Sequence, residues 1–194
     1  MNILGTIASQ FSSKPFTSFE SIATVTLGSP QGTISFTSIP STFKHLQIRY
    51  IARSTNVNSF AGFIEATFNS DTTSGNYYSL HRLNGRGDGL VYVSAITSVG
   101  YSRLAYIAGG SVSANNFSPG IVDILEYTST TKNKTIRAIS GLAGQTTDTQ
   151  NDIALTSSLY FPSTIAAISR IDLNISGFEF AQYSSFALYG IRGS

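Results

Sequence analysis

Cysteine and tryptophan are both absent from this chain of 194 residues. Without cysteine, the chain has no disulfides, no thiolate metal sites and no cysteine nucleophile. Charge is also scarce, because only 11% of the residues are Asp, Glu, Lys or Arg, against about 25% in an average domain. The polar surface must therefore come from Ser, Thr, Asn and Gly, and little of its stability depends on ion pairs that salt could screen.

Strong net charge and long apolar runs are missing as well. The net charge is +2 with scattered basic residues, so we expect no nucleic-acid partner. No apolar run approaches the roughly 18 residues of a membrane span, and we expect none. The first positive charge, Lys14, follows the short apolar patch at the N-terminus. A signal peptide has its charge before the apolar region, so we interpret residues 1–18 as a structural arm.

What the chain does have is β-strand patterning from end to end. Residues 43–52 alternate clearly, with Leu46, Ile48 and Tyr50 on one face and Gln47 and Arg49 on the other. About eleven strands with short connections follow from this pattern. Twelve candidate segments supply them, namely residues 19–27, 33–39, 43–52, 60–68, 77–83, 90–96, 103–108, 117–127, 134–142, 153–160, 165–175 and 183–191.

Many short strands without helices predict an all-β fold, either a sandwich or a barrel. The Cys and Trp signals of immunoglobulin domains are absent. We therefore predict an antiparallel, jelly-roll-like β-sandwich over residues 19–194, as a single domain. The C-terminal strand carries apolar residues on both faces, which predicts a position inside a sheet or an outer face that meets another subunit.

Several stretches of the chain resemble one protein family. They are residues 18–25 and 36–53, then IVDILEYTSTTKNKTIRAISG at 121–141, and FAQYSSFALYGIRG at 180–193. Residues 4–9 also look like the N-terminal arm of such proteins. Together they resemble small structural proteins of tailed-bacteriophage virions, which are described as capsid-associated or tail-fibre-like.

The resemblance implies a non-enzymatic virion protein without cofactors. We expect a capsid decoration or cement protein on the virion surface, assembled in the host cytoplasm. Its partners would be the major capsid protein or tail components, and it would be a homo-oligomer, with a trimer favoured. The arm would thread under a neighbouring subunit through Leu4, Ile7, Phe11 and Phe16. The alternative is a tail-fibre or receptor-binding tip that recognises a host glycan.

In that alternative, loops would carry recognition through Arg86, Asp88, Asp148 and Asp152. The tripeptide 86–88 lies within a glycine-rich segment, and a hairpin turn explains it more simply than an adhesion motif. Lys132 and Lys134 flank Asn133, which predicts a hairpin tip with solvated lysines.

Other chemistry has weaker support in the sequence. His45 and His81 are the only histidines, and we interpret both as solvated or interface side chains. The loop carboxylates Asp71, Asp148 and Asp152 could bind calcium, but Asx-turns explain them more simply. The strand-borne acids, namely Glu65, Asp123, Glu126, Asp172 and Glu179, form no evident catalytic pair. Asp123 could pair with Arg137 or Arg49, or cap a turn.

Overall fold

The computed structural model of the chain describes residues 18–59, 61–142 and 152–193. Within these ranges it contains strands and no helix, which confirms the all-β prediction. The strands are β1 (Phe19–Thr26), β2 (Thr33–Phe36), β3 (His45–Ala52), β4 (Ala61–Phe68), β5 (Tyr77–Arg86), β6 (Val91–Ile96), β7 (Ser102–Ala108), β8 (Ser118–Ile124), β9 (Lys134–Leu142), β10 (Asp152–Tyr160), β11 (Ile171–Asn174) and β12 (Ser185–Ile191). Across the same ranges, no helix has the length and apolar character needed to cross a membrane.

The strands form two antiparallel sheets. The large sheet has the order β1-β12-β3-β8-β9-β10-β5-β6, and the small sheet has the order β2-β11-β4-β7. Many pairs are nested in the chain: β5 pairs with β6, β4 with β7, β3 with β8, β2 with β11 and β1 with β12. Successive nested pairs alternate between the sheets, as in a long hairpin rolled into a jelly roll.

The core lies between the two sheets, and strand periodicity decides which residues enter it. In β3, Leu46, Ile48 and Tyr50 are buried, while the intervening residues point outward, as the alternation predicts. In β12, Phe186 and Leu188 are fully buried and the alternate residues are half-buried. This strand pairs with both β1 and β3, so its predicted position inside a sheet is confirmed.

Side chains of the large sheet cover one edge of the small sheet. The outward backbone groups of β7 would lack ladder partners, but Tyr50 donates from its hydroxyl to Tyr106 O at 3.0 Å. The Tyr106 amide donates to Ser140 Oγ at 3.1 Å, and Thr156 Oγ1 donates to Leu104 O. The three capping side chains are buried, and each satisfies a backbone group that would be costly to bury alone.

Three expected strands are clearly shorter in the structure, and the one expected at 33–39 ends at Phe36. The strand expected at 165–175 is formed only at Ile171–Asn174. Before it, the Asn69 side chain accepts hydrogen bonds from the amides of Ser169 and Arg170 at 2.9 and 3.3 Å and donates to Ala167 O at 2.9 Å. These backbone groups are thus engaged by a distant side chain instead of a neighbouring strand.

The strand expected at 117–127 ends at Ile124, and a turn follows in which Glu126 has a φ of 47°. The prediction of a solvated Lys134 is wrong. Its side chain is buried, and its ammonium donates to Ser129 O and, at 2.9 Å, to Lys132 O. The lysine closes the turn because these carbonyls have no ladder partner there.

Candidate interaction surface

One face of the large sheet packs on the small sheet, and the other, here called the outer face, carries a row of aliphatic side chains. From the edge inward the row contains Val93, Leu83, Leu155, Ile139 and Ile121, each directly opposite the next on neighbouring strands. All five are exposed, from 39% for Ile121 to 78% for Val93. Single exposed aliphatic residues are ordinary, but a contiguous row on five strands marks a surface that favours being covered.

A second row runs beside the first and alternates aliphatic residues with glycine. Val91 lies opposite Gly85, Gly85 opposite Ile153, and Ile153 opposite Gly141. A Cβ added to either glycine would meet nothing within 4 Å, so the glycines leave gaps between exposed side chains. The five residues of the first row, together with Val91 and Ile153, are here called the apolar patch.

Three shallow grooves follow the patch, with volumes of about 570, 440 and 420 Å³. The first lies between β6, β5 and β10 and includes His81, and the second lies over Gly141. The third includes the ion pair of Arg137 and Asp123. Small-molecule sites usually add several convergent polar groups to an apolar lining, so these grooves fit a broad apolar contact better than a compact polar ligand.

A polar network borders the patch. Arg137 Nε lies 3.0 Å from Asp123 Oδ2, which confirms one of the two cationic partners expected for Asp123. Gln47 Nε2 donates to the other carboxylate oxygen at 2.8 Å, and Arg49 Nε donates to Gln47 Oε1 at 2.8 Å. Arg49 therefore contacts Asp123 only indirectly, through Gln47. Both carboxylate oxygens of Asp123 have a donor within this network.

Beyond this network, the outer face carries aromatic rings beside a guanidinium. Arg49 lies over the ring of Tyr189 at 5.0 Å and over the ring of Phe19 at 5.5 Å, and such stacking is favourable. Phe19 and Ile51 remain 44% and 55% exposed on this side. The contiguous aliphatic row nevertheless ends at β3, because Arg49 is the residue opposite Ile121.

The continuity of the patch also sets it apart. Its seven aliphatic residues are each 39–78% exposed and lie side by side on five adjacent strands. Contiguous apolar surface, as opposed to scattered single residues, is typical of protein–protein interaction sites. The patch is therefore a candidate for a protein–protein contact.

Arg86 and Asp88 lie together at the turn between β5 and β6. Their side chains form an ion pair at 3.3 Å, and Asp88 Oδ1 accepts the Leu90 amide at 3.1 Å. Arg86 also donates to the Tyr92 hydroxyl at 2.8 Å and lies over its ring at 5.0 Å. Gly89 has a φ of 81°, which glycine adopts readily in a turn. The pair is bound to its own hairpin, and no feature of it assigns a ligand.

The other predicted recognition residues and the arm have no described side-chain geometry. Leu4, Ile7, Phe11, Phe16 and Asp148 lie outside the described residues. Asp152 begins β10, opposite Arg86 and Leu142 in the ladder, and its side chain is not among those described.

The two histidines lie far apart in the large sheet. His45 begins β3, and its Nδ1 accepts the Glu126 amide at 2.8 Å. His81 is on β5, opposite Ser157 and Ala95. Among the side chains that the structure describes, no three of the types His, Cys, Asp and Glu come together as a metal site.

The Asp71 carboxylate accepts hydrogen bonds from its own turn and from a tyrosine hydroxyl. Its Oδ1 accepts the Thr73 amide at 2.9 Å, and its Oδ2 accepts Asn76 Nδ2 at 2.8 Å and the Tyr160 hydroxyl at 3.0 Å. Burial by itself would raise the pKa of Asp71, but these hydrogen bonds outweigh it and hold the pKa below its ordinary value. The Asx-turn interpretation accounts for this carboxylate, because both oxygens already have donors.

The acids expected on strands are held in separate contacts. Asp172 pairs with Arg170 at 2.7 Å and accepts Ser35 Oγ at 2.6 Å, and Glu65 pairs with Arg103 at 3.0 Å. Burial by itself would raise the pKa of Asp172, but the bonds from Arg170 and Ser35 lower it below its usual range. Glu126 and Glu179 lie outside the strands, which corrects their expected placement. No two of these acids are brought together by the contacts described.

The apolar patch itself was missed by sequence reasoning. In the segment with Ile121, the outward Ile121 and the inward Val122 are both apolar, so residue type alone does not separate surface from core there. The sequence signal for the patch is a strand with apolar residues on both faces, which β12 also shows. Such a strand indicates an extra contact only where no other layer of the fold packs on its outward face.

No protein-family model and no curated protein sequence matches the chain. Among solved structures, the scytalido-glutamic peptidase with a transition-state analogue inhibitor is 12% identical at a TM-score of 0.30, over 82% of this chain and 75% of that one. A protein of unknown function from Shewanella oneidensis MR-1 is 9% identical at a TM-score of 0.25, over 100% and 96%. The Ruminococcus gnavus IT-sialidase CBM40, bound to alpha2,3 sialyllactose, is 10% identical at a TM-score of 0.23, over 80% and 92%. These likenesses are too distant to assign a function.

Proposed function

We propose that this protein is a non-enzymatic structural subunit of a larger particle, held there through the apolar patch. The patch carries the proposal, since it exposes aliphatic side chains on five adjacent strands. Exposed apolar surface of this extent favours a protein neighbour. The low charge of the chain supports a particle role, because such contacts change little with salt.

Because residues 121–141 and 180–193 resemble tailed-phage structural proteins, we take the proposed particle to be a tailed-phage virion. On this proposal the chain is a decoration or cement protein on the capsid, and the occupant of the patch is a flat, aliphatic surface of the shell protein. Many repeated contacts on the shell would supply avidity that a single patch does not.

The alternative is a receptor-binding tip of the tail. The observation that favours it is the hairpin between β5 and β6, where Tyr92 is partly exposed beside the Arg86–Asp88 ion pair. An aromatic ring next to polar groups at a loop tip is a suitable start for glycan recognition.

Copy number in purified particles separates these roles. Quantitative mass spectrometry of particles from the phage whose genome encodes the chain is expected to find it at the abundance of shell subunits. A handful of copies per particle would replace the capsid role with the tail role. If purified particles lack the chain, the particle role is wrong.

A matched pair of variants tests the patch as the attachment surface. Leu155→Lys places a charge in the middle of the patch, whereas Val57→Lys alters an exposed aliphatic residue in a loop outside it. We expect the first variant to be depleted from particles and the second to be incorporated normally. Equal incorporation of two folded variants would contradict attachment through the patch.

A further inference from the structure

Sheet edges are sites of unwanted pairing. Among the residues that the structure describes, the two sheets have four edge strands, and three of them are blunted. The β7 edge is covered by the side chains of Tyr50, Ser140 and Thr156. The β1 edge has a bulge between Ser21 and Ala23. The β2 edge is only four residues long. Each is a recognised way of preventing strand addition.

The fourth edge, β6, has none of these features. Its sequence VYVSAI contains no charge and no proline, and its six residues pair with β5 without a register shift. Val91 and Val93 are 66% and 78% exposed. In the described part of the chain, β5 is its only ladder partner. Long, uncharged and unbulged edges of this kind are templates for another strand.

The backbone groups that β6 offers follow from its hairpin. The Arg86 amide donates to Leu90 O at 2.9 Å, so these opposed residues form a hydrogen-bonded pair. Hydrogen-bonded and non-bonded pairs alternate along an antiparallel ladder. Tyr92, Ser94 and Ile96 therefore direct their backbone groups to β5, while Val91, Val93 and Ala95 direct theirs outward.

We propose that β6 pairs with β6 of a second copy, antiparallel and centred on Val93. In this register Val93 faces its own symmetry mate, and Val91 faces Ala95 in both directions. All outward amides and carbonyls of the three residues are then satisfied, as six hydrogen bonds. The contact is a closed two-fold interface of the commonest kind.

A second copy fits this edge for three reasons. A two-fold axis normal to the sheet keeps Val93 on the outer face of each copy, so the two aliphatic rows join into one row of ten side chains. The strand carries no charge, so self-pairing opposes no like charges. Valine against valine is also a favourable β-branched cross-strand pair. The register is thus fixed by both backbone and side chains.

The predicted assembly is a dimer with one continuous sheet, which differs from the trimer that the family resemblance favours. This inference is independent of the particle role, because it depends on the β6 edge and not on what covers the outer face. A dimer that is absent from particles would leave it standing while the proposed function fails.

Cross-linking tests the register, since the chain has no native cysteine. Opposed residues of a hydrogen-bonded pair have Cα atoms about 5.5 Å apart, within the range that a disulfide spans. Mild oxidation of Val93→Cys should give a covalent dimer rapidly. Val91→Cys, one pair away, and Val57→Cys, in an exposed loop, should cross-link at least about tenfold more slowly. Equal rates at all three positions would overturn the proposal.

The second measurement is sedimentation of the unmodified chain at concentrations up to about 100 µM. The proposed dimer should form in this range, whereas a weak contact between edge strands would have a Kd nearer the millimolar range. We expect a dimer that Val93→Pro weakens about 10- to 100-fold, since proline removes an outward amide and no β5 bond. Val93→Thr retains that amide and should stay within a few-fold of the parent. A chain that is monomeric throughout, or a folded Val93→Pro variant that dimerises normally, would refute β6 pairing. If Val93→Pro does not fold, the Val93→Cys result decides.

Discussion

The edge strands β7 and β6 differ in whether side chains of the same copy hydrogen-bond their outward backbone groups. In β7, the outward groups of Leu104 and Tyr106 are capped by side chains from the large sheet, and Ala108 O accepts the Ser54 amide at 2.8 Å. In β6, no described side chain caps the outward groups, and the aliphatic row begins there. An edge strand therefore needs internal caps only where the fold buries it, and an exposed edge strand is available for pairing with another copy.

The comparison also explains polar residues in the core. Ser140 and Thr156 point inward from β9 and β10, where aliphatic side chains would be expected. These polar side chains are needed at their positions, because a buried carbonyl or amide on β7 would otherwise lack a partner. Burial raises the pKa of Tyr50 far above its ordinary value, a shift that the Ser140 hydrogen bond opposes only in part. The hydroxyl therefore stays protonated and remains a donor.

The largest effect is expected from stripping the caps of β7. The combined variant Tyr50→Phe, Ser140→Ala and Thr156→Val leaves buried backbone groups unsatisfied, at roughly 1–3 kcal/mol each before any non-additivity. We expect the free energy of unfolding to fall by roughly 3–6 kcal/mol, measured by urea titration. A loss below about 1 kcal/mol would show that the caps contribute little to stability.

Two glycines sharpen the contrast between the inner and outer faces of the large sheet. A Cβ on Gly190 would lie 2.3 Å from the Phe43 ring, whereas one on Gly141 would meet nothing. Gly190→Ala should therefore lower the free energy of unfolding by roughly 1–3 kcal/mol through overpacking. The matched control Gly141→Ala should be nearly neutral. Similar losses in both variants, measured by thermal unfolding, would contradict this division.

Acid should weaken the loop between β4 and β5 through Asp71. Burial by itself would raise the pKa of Asp71, but hydrogen bonds from Asn76, Thr73 and Tyr160 outweigh burial and lower the pKa in the folded chain. A depressed pKa contributes stability that is present above the unfolded value of about 3.9 and is lost as pH falls through the folded value. Asp71→Asn should show a smaller loss of stability between about pH 5 and pH 2. An unchanged acid limb would assign that loss to other carboxylates.

The smallest effect on the monomer is expected at β6. Val93 is mostly exposed, so Val93→Thr should change the free energy of unfolding of the monomer by no more than about 0.5 kcal/mol. Denaturant titration at a protein concentration below the dimer dissociation constant measures this change in the free energy of unfolding. A loss above about 1.5 kcal/mol would mean that the edge is already packed within one copy.

Most of the fold could be predicted from residue alternation. The alternation places Leu46, Ile48 and Tyr50 on one face of their strand, and the structure buries all three. The segment before β11 could not be predicted, because the Asn69 side chain, about one hundred residues away in sequence, holds its backbone. Sequence periodicity contains no information on such distant contacts.

The candidate surface was harder to predict than the fold. Ile121 and Ile139 are as apolar as the core residues beside them, and they are exposed because no described element packs on their side of the sheet. Lys134 was assigned to solvent from its charge, yet the carbonyls of its own turn bury it. In both cases tertiary placement decides, and residue type alone predicts the opposite environment.

Amide hydrogen exchange compares the two edges directly. Measured at low and high protein concentration, the amides of Val91, Val93 and Ala95 should gain protection as copies pair through β6. The Tyr106 amide on β7, capped by Ser140 within one copy, should be protected equally at both concentrations. If the three β6 amides exchange at the same rate at every concentration, the bare edge does not pair and the account of β6 as an assembly edge is wrong.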